Sequence, residues 1–324
     1  MPETLQETPA PAPPRATVGD RASFRLAVFA ALLVVVLFAG YGLGRLAGAP
    51  GSSGTPAPTA TAGMPGMAAD ESQPHTHATA AAGAAGPAAA AAAGGLAISA
   101  DGLTLMPQRT TFAAASPQRF AFTVAGPGGA PVTTYAAVHD KPLHLIVIRR
   151  DLSGFQHLHP TMAPDGTWSV DLALPAAGSY RAIADFTAIV GGRQIATTLG
   201  ADLTVPGTFA PVALPALARQ VTTGGFSVAY DGTPRTGSTQ PVMISVTMSG
   251  GQPPPLQPYL GAFGHLVALR QGDLGYVHVH PEAQLVDGKV KFWLAAPSAG
   301  TYRMFFDFQV AGRVHTAAWT VTVG

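Results

Sequence analysis

The sequence predicts an all-β chain: two tandem immunoglobulin-like or cupredoxin-like sandwiches, placed after one transmembrane helix and a disordered linker. Three observations predict it. Residues 95–324 contain an internal duplication with a period near 121–123 positions, a period far longer than that of a solenoid repeat and long enough for a whole domain. Each copy is a succession of about seven short apolar or β-branched runs broken by Gly, Pro and Asp, the pattern of an antiparallel sandwich. No stretch within the duplication carries a helical apolar period.

The duplication is anchored by several landmarks. Ala-Gly178-Ser-Tyr180-Arg181 recurs as Ala-Gly300-Thr-Tyr302-Arg303, and Asp185-Phe186 recurs as Asp307-Phe308. Repeat one is expected over 95–206 and repeat two over 216–324, joined through the Pro-containing stretch 205–218. Tyr180, Tyr302, Phe186 and Phe308 read as core or corner residues. Arg181 and Arg303 read as partners of an acid or as caps on the sheet.

Residues 1–24 are polar and aperiodic, a disordered cytoplasmic tail. Residues 25–47 contain an uncharged run from Leu26 to Gly44, about the length of a spanning helix. Arg15, Arg21 and Arg25 precede it and only Arg45 closely follows, so the N-terminus is expected in the cytoplasm and the bulk of the chain outside. The rival is a signal peptide cut after Ala47-Gly48-Ala49, whose apolar core would be unusually long. Residues 48–94, rich in Ala, Gly, Pro, Ser and Thr, form a flexible tether that carries Met64-Pro-Gly-Met67 and His75-Thr-His77. These read as a solvated linker, with a loose metal-collecting segment as the alternative.

Composition limits the chemistry. A net charge of +1 gives no reason to expect nucleic acid. There are no cysteines, so disulfides, thiolate metal sites and blue-copper centres are excluded. No Ser-His-Asp order, glycine-rich phosphate loop or pair of catalytic carboxylates stands out, and an enzyme is not expected.

Histidine is where chemistry gathers. Repeat one reads His144-Leu-Ile-Val-Ile, a turn through Asp151-Leu-Ser-Gly154, then Phe155-Gln-His157-Leu-His159-Pro160. Repeat two reads His265-Leu-Val-Ala-Leu, a turn through Gly272-Asp-Leu-Gly275, then Tyr276-Val-His278-Val-His280-Pro281. In both copies His-x-His-Pro begins 13 positions after the first His. A hairpin turning near 151–152 sets His144 opposite His159, and one turning near Gly272–Asp273 sets His265 opposite His280. His157 and His159 leave the same side of their strand, as do His278 and His280. Facing Cβ atoms lie about 5 Å apart, so each trio can reach one ion through bonds of ~2.0 Å. Metal sites are therefore expected at His144, His157 and His159, and again at His265, His278 and His280. Imidazole serves copper and zinc alike, and the choice stays open.

Asp185 and Asp307 sit inside apolar strands, where a carboxylate must be paired, hydrogen-bonded or metal-bound. Either orients a histidine or anchors a loop. With the following turn centred near Ala311, His315 faces Asp307, whereas Thr197 falls near the matching place in repeat one. The expectation is a tighter site in repeat two, completed by His315 and Asp307.

The two hairpins resemble a group of membrane-anchored or secreted actinobacterial proteins with repeated His-x-His-Pro hairpins. Members are often labelled heavy-metal-binding, with suspected roles in copper handling. The resemblance covers roughly residues 100–324. It implies an extracytoplasmic, membrane-tethered protein that binds, buffers or transfers copper or zinc, with a membrane metal transporter or another extracytoplasmic protein as partner. Two alternatives remain: a structural or protein-recognition module with internal histidines, and a metal-dependent enzyme.

Overall fold

The computed structural model describes residues 93–277 and 279–324, with the side chain of His280 left out. The tail, the anchor over 25–47, most of the linker with its Met and His residues, and His278 lie outside the described residues. Among the described residues no helix is long and apolar enough to cross a membrane.

The described chain is all-β. Repeat one runs through β1 (Ser99–Ala100), β2 (Leu103–Pro107), β3 (Gln118–Ala125), β4 (Tyr135–Ala136), β5 (Leu143–Arg149), β6 (Gln156–Leu158), β7 (Thr161–Met162), β8 (Trp168–Leu172), β9 (Gly178–Val190) and β10 (Arg193–Val205). Repeat two follows with β11 (Gln220–Thr223), β12 (Phe226–Asp231), β13 (Gln240–Met248), β14 (Leu256–Gln257), β15 (His265–Arg270), β16 (Tyr276–Val277), β17 (Val279–Pro281), β18 (Val290–Leu294), β19 (Gly300–Val310) and β20 (Arg313–Val323). In repeat one a sheet ordered β1-β2-β3-β8-β7 packs on a sheet ordered β10-β9-β5-β6, with β4 beside β9. Repeat two repeats this order as β11-β12-β13-β18-β17 and β20-β19-β15-β16, with β14 beside β19.

Each sandwich closes over its own apolar core. Leu143, Leu145 and Val147 of β5 meet Phe120, Phe122 and Trp168, and Leu266 and Ala268 of β15 meet Phe292, Phe306 and Trp319. Tyr180 and Tyr302 are buried at the matching corner, where each hydroxyl donates to a carbonyl four residues back, on Ala176 at 2.8 Å and Ser298 at 2.9 Å. This is the tyrosine corner of immunoglobulin-like sandwiches. Arg181 pairs with Asp202 at 2.8 Å and Arg303 donates to Thr320 Oγ1 at 3.0 Å.

The second face of β5 and β15 is buried as well. Ile146, Ile148, Leu152 and Ile183 of repeat one form one cluster with Val267, Leu269, Leu274, Tyr276 and Phe305 of repeat two. These are equivalent positions of the two copies, so the repeats meet through the same patch of each, as the halves of a two-fold dimer do. Burial on both faces is why β5 runs apolar from Leu145 to Ile148 rather than alternating.

The residues just before repeat one stitch this contact. Gly94 exchanges backbone hydrogen bonds of 2.8 and 3.0 Å with Tyr276, and Gly95 N–H donates to Thr198 O. Glycine is required opposite this crossing, because a Cβ at Gly200 would lie 2.0 Å from Gly95 O.

Candidate metal centre at the repeat interface

The hairpin registers are those the sequence predicts. β5 pairs β6 through Leu145↔Leu158 and Ile146↔His157, which aligns His144 with His159 just beyond β6. β15 pairs β16 through Ala268↔Val277 and Leu269↔Tyr276, the register that aligns position 265 with 280. The His-x-His-Pro segment is also where the chain changes sheets. Pro160 and Pro281 carry no N–H to continue the ladder, and β7 and β17 pair instead with β8 and β18.

His144, His157 and His159 converge as expected, with candidate ligand atoms all within 4.8 Å of one another. Their ring centroids are 5.4 Å (144–157), 5.0 Å (144–159) and 4.8 Å (157–159) apart. Two separate sites were expected; for the second, His278 and the side chain of His280 lie outside the described residues. The face bearing the trio is the face that docks on repeat two. His265 lies 6.0 Å from His157 and 6.3 Å from His144, centroid to centroid, and His139 lies 5.3 Å from His265. Among the described residues, five histidines from both repeats form one cluster. The backbone of His280 lies in β17 opposite Trp293.

The hydrogen bonds fix which nitrogens face inward. His144 Nε2–H donates to Val138 O at 2.9 Å, so its Nδ1 carries a lone pair. That Nδ1 lies 3.1 Å from His157 Nε2, and His157 Nδ1 lies 2.9 Å from Asp307 Oδ2 of repeat two. Both side chains of this last pair are 6% exposed. The path runs from a carbonyl through two imidazoles to a carboxylate, and both ends only accept. Three hydrogen bonds need three protons, while two neutral imidazoles carry two. The gap between His144 Nδ1 and His157 Nε2 therefore takes either an additional proton or a cation.

A cation suits this geometry. Two nitrogens bound at ~2.0 Å to one tetrahedral ion lie about 3.3 Å apart, close to the observed 3.1 Å. With an ion there, Val138 O and Asp307 hold the outward N–H groups, the arrangement that orients metal-binding histidines. His159 supplies the third donor: its Nε2 is buried and makes no hydrogen bond. Burial first, then the neighbouring His157, His144 and Lys141, pushes its pKa from 6.5 down to about 3. His265 is lowered to about 4, mainly by burial. Both rings are neutral at physiological pH, the state that can ligate. An open groove of about 520 Å³, lined by Tyr135, Lys141, Met162 and Trp168 among others, opens beside His159 and gives an ion a path from solvent.

Asp185 and Asp307 each accept from a threonine on the neighbouring strand. Asp307 Oδ1 accepts from Thr316 at 2.6 Å, and Asp185 Oδ1 accepts from Thr198 at 2.9 Å. The other Asp307 oxygen takes His157, and Asp185 Oδ2 accepts from the Tyr276 hydroxyl at 3.0 Å. Burial and the Asp185 charge push the Tyr276 phenol well up, which keeps it a donor.

The structure corrects the placement of His315. β19 and β20 pair as Asp307↔Thr316 and Phe308↔His315. The turn falls at Ala311–Gly312, half a residue later than the sequence reading placed it, and a one-residue slip moves a side chain to the other face. His315 packs on Phe308 and Phe226, at 5.4 and 5.0 Å, away from the cluster. In repeat one Thr197 faces Phe186 and is the counterpart of His315, while Thr198 faces Asp185 as Thr316 faces Asp307.

His139 is a participant the sequence did not assign. It sits with Asp140 in a two-residue turn closed by Val138 and Lys141, both turn residues in the left-handed region at φ 49° and 59°. Two successive non-glycine residues there cost about 1–2 kcal/mol each. The equivalent turn of repeat two, between Tyr259 and Ala262, uses Leu260-Gly261.

A family model described as "Domain of unknown function (DUF8832)" matches residues 98–203 and again 220–324. The chain belongs to the DUF8832 family. No curated protein matches it. Among solved structures it is similar to the Escherichia coli adhesin FdeC, at 16% identity and a TM-score of 0.24, over 70% of this chain and 66% of that one. The Yersinia pseudotuberculosis adhesin InvE gives 12% and 0.22, over 68% and 58%. Domains 5–6 of the S-layer protein SbsC give 11% and 0.20, over 68% and 96%. The chain thus spans two thirds or less of either adhesin's length. Likeness at this level carries no argument about function; the two-repeat, all-β architecture rests on the strands and on the doubled family match.

Proposed function

We propose that this protein binds copper or zinc at one site between its repeats, outside the membrane to which its N-terminal segment tethers it, and that it stores or hands over the ion. The observation that carries this reading is the pair His144 Nδ1 and His157 Nε2, 3.1 Å apart, each turned inward by an acceptor on its other nitrogen. His159 completes a three-nitrogen set. Buffering or transfer is favoured because the described groups around the triad, Val138 O and Asp307, serve to orient histidines.

A second reading is supported by the same contacts. His157–Asp307 and Tyr276–Asp185 cross between the repeats, so the cluster also reads as a polar lock in a structural or recognition module. Competitive titration of the full-length chain with Cu(II) and Zn(II) decides between them. The metal reading expects one tightly held ion per chain, lost in His144→Ala and His157→Ala. Absence of binding leaves the lock.

A further inference from the structure

The triad supplies three nitrogens, and a tetrahedral ion takes four ligands. We infer that the fourth is His265 of repeat two, so that the bound ion is itself the bond between the repeats. This rests on the triad binding an ion, the reading above.

His265 is only 5% exposed. Its Nε2–H donates to Tyr259 O at 2.8 Å, and no described group hydrogen-bonds its Nδ1. The arrangement reproduces that of His144, whose Nε2–H donates to Val138 O. In both repeats the accepting carbonyl opens the two-residue turn six residues earlier, Val138–Lys141 and Tyr259–Ala262. The duplicated turn therefore sets the same tautomer in both histidines and leaves the same nitrogen, Nδ1, as the donor. An ion would give this nitrogen a partner.

Among the described residues, distance favours His265 over His139. Two imidazoles sharing a tetrahedral ion have ring centroids about 5.3 Å apart when bonds are ~2.0 Å. The triad pairs lie at 4.8–5.4 Å. His265 stands at 6.0 Å from His157 and 6.3 Å from His144, so a movement of about 1 Å closes the shell. His139 is 6.0 Å from His144 and has no ring contact with His157 or His159 among the described residues. The closed, four-nitrogen shell belongs to structural or storage sites, whereas catalytic sites keep a position open. The repeats would then be joined by metal as well as by their apolar patch.

The test uses the full-length chain loaded with Zn(II) and examined by X-ray absorption, which counts imidazoles around the ion. Four imidazoles are expected, and three with one oxygen would overturn the inference while sparing the triad. In parallel, His265→Ala loaded with Co(II) is expected to bind one ion at least roughly tenfold more weakly, with altered visible bands from loss of a nitrogen. Unchanged affinity and bands would also overturn it. If wild-type chain takes up neither ion, the triad reading falls and this inference with it.

Discussion

The two repeats share strand order, hairpin register, tyrosine corner and the histidine that bonds the turn carbonyl, yet they contribute different parts to the interface. Repeat one brings the convergent triad, and repeat two brings the carboxylate that holds it. The equivalent carboxylate, Asp185, accepts from a tyrosine. The residue matching Tyr276 in repeat one is Phe155, which stacks on Phe305 at 4.0 Å with an interplanar angle of 3° and needs no acceptor. The turn that carries His139-Asp140 in repeat one carries Leu260-Gly261 in repeat two. Duplication gave a patch that docks on its own copy.

The largest test of this comparison addresses docking. Ile146 and Ile183 are fully buried, and both lie in the cluster shared by the repeats rather than in the core of repeat one. Ile146→Ala should cost about 2–5 kcal/mol. If the repeats unfold as one unit, denaturant titration should show the whole transition move. A variant in which repeat one melts early while the signal of repeat two stays fixed would mean that the interface couples them little.

The carboxylates come next. Asp307→Asn removes the charge that holds His157 and should weaken zinc or copper binding about 10–100-fold, the usual penalty for losing such a partner. Asp185→Asn removes the acceptor of Tyr276 and leaves the Asp307–His157 contact in place, so the His144–His157–His159 set should keep its affinity within about threefold. Isothermal titration of the two variants reads the difference directly. Equal losses would restore symmetry and with it a second site.

Proton competition should be smaller and graded. His159 and His265 titrate near 3 and 4 in the folded chain and near 6.5 unfolded. Below about 6.5 the unfolded state takes up protons that the folded state refuses, so stability falls as pH drops toward 4 and is fully present above 6.5. Metal affinity should fall in the same direction, because protons compete for the same nitrogens. Denaturant midpoints at pH 7.5 and pH 5 test the first statement, and His265→Leu should flatten the dependence. A midpoint that rises on acidification would contradict the burial of these rings.

Much of this was legible in the residues. The hairpin turns are marked by Asp, Ser and Gly, and a marked turn fixes register, so the triad could be placed from spacing alone. The tyrosine corners and the paired Asp-Phe strands fixed the repeat boundaries. What spacing could not supply was the partner of the outer face. The signal was present in His144-Leu-Ile-Val-Ile, where no polar residue alternates, as expected of a strand covered on both sides. The sequence alone did not say what covered it, because association of two sheets depends on shape over residues far apart. His139 escaped for a different reason: a His-Asp pair in a left-handed turn carries no local preference that announces it. His315 was misplaced because Val-Ala-Gly-Arg admits two turn centres, and the choice between them decides the face.

His315→Ala is the weakest perturbation and the most direct check on that choice. The ring lies against Phe308 and Phe226, and a Cβ at Gly224 would come within 2.5 Å of its Nδ1, so it is wedged beneath the β11–β12 turn. It borders the core of repeat two on the side of β20 opposite Thr316, and Thr316 is the residue that reaches Asp307. Losing an aromatic contact of this kind should cost at most about 1 kcal/mol, and metal affinity should stay within about twofold of wild type because no ligand or supporting contact is touched. Titration of His315→Ala beside His157→Ala makes the comparison internal. If the first weakens binding as the second does, the tighter site belongs to repeat two alone, and the division of labour across the interface is wrong. If only the second does, the carboxylate of repeat two acts through the histidine of repeat one, as the Asp307–His157 contact requires.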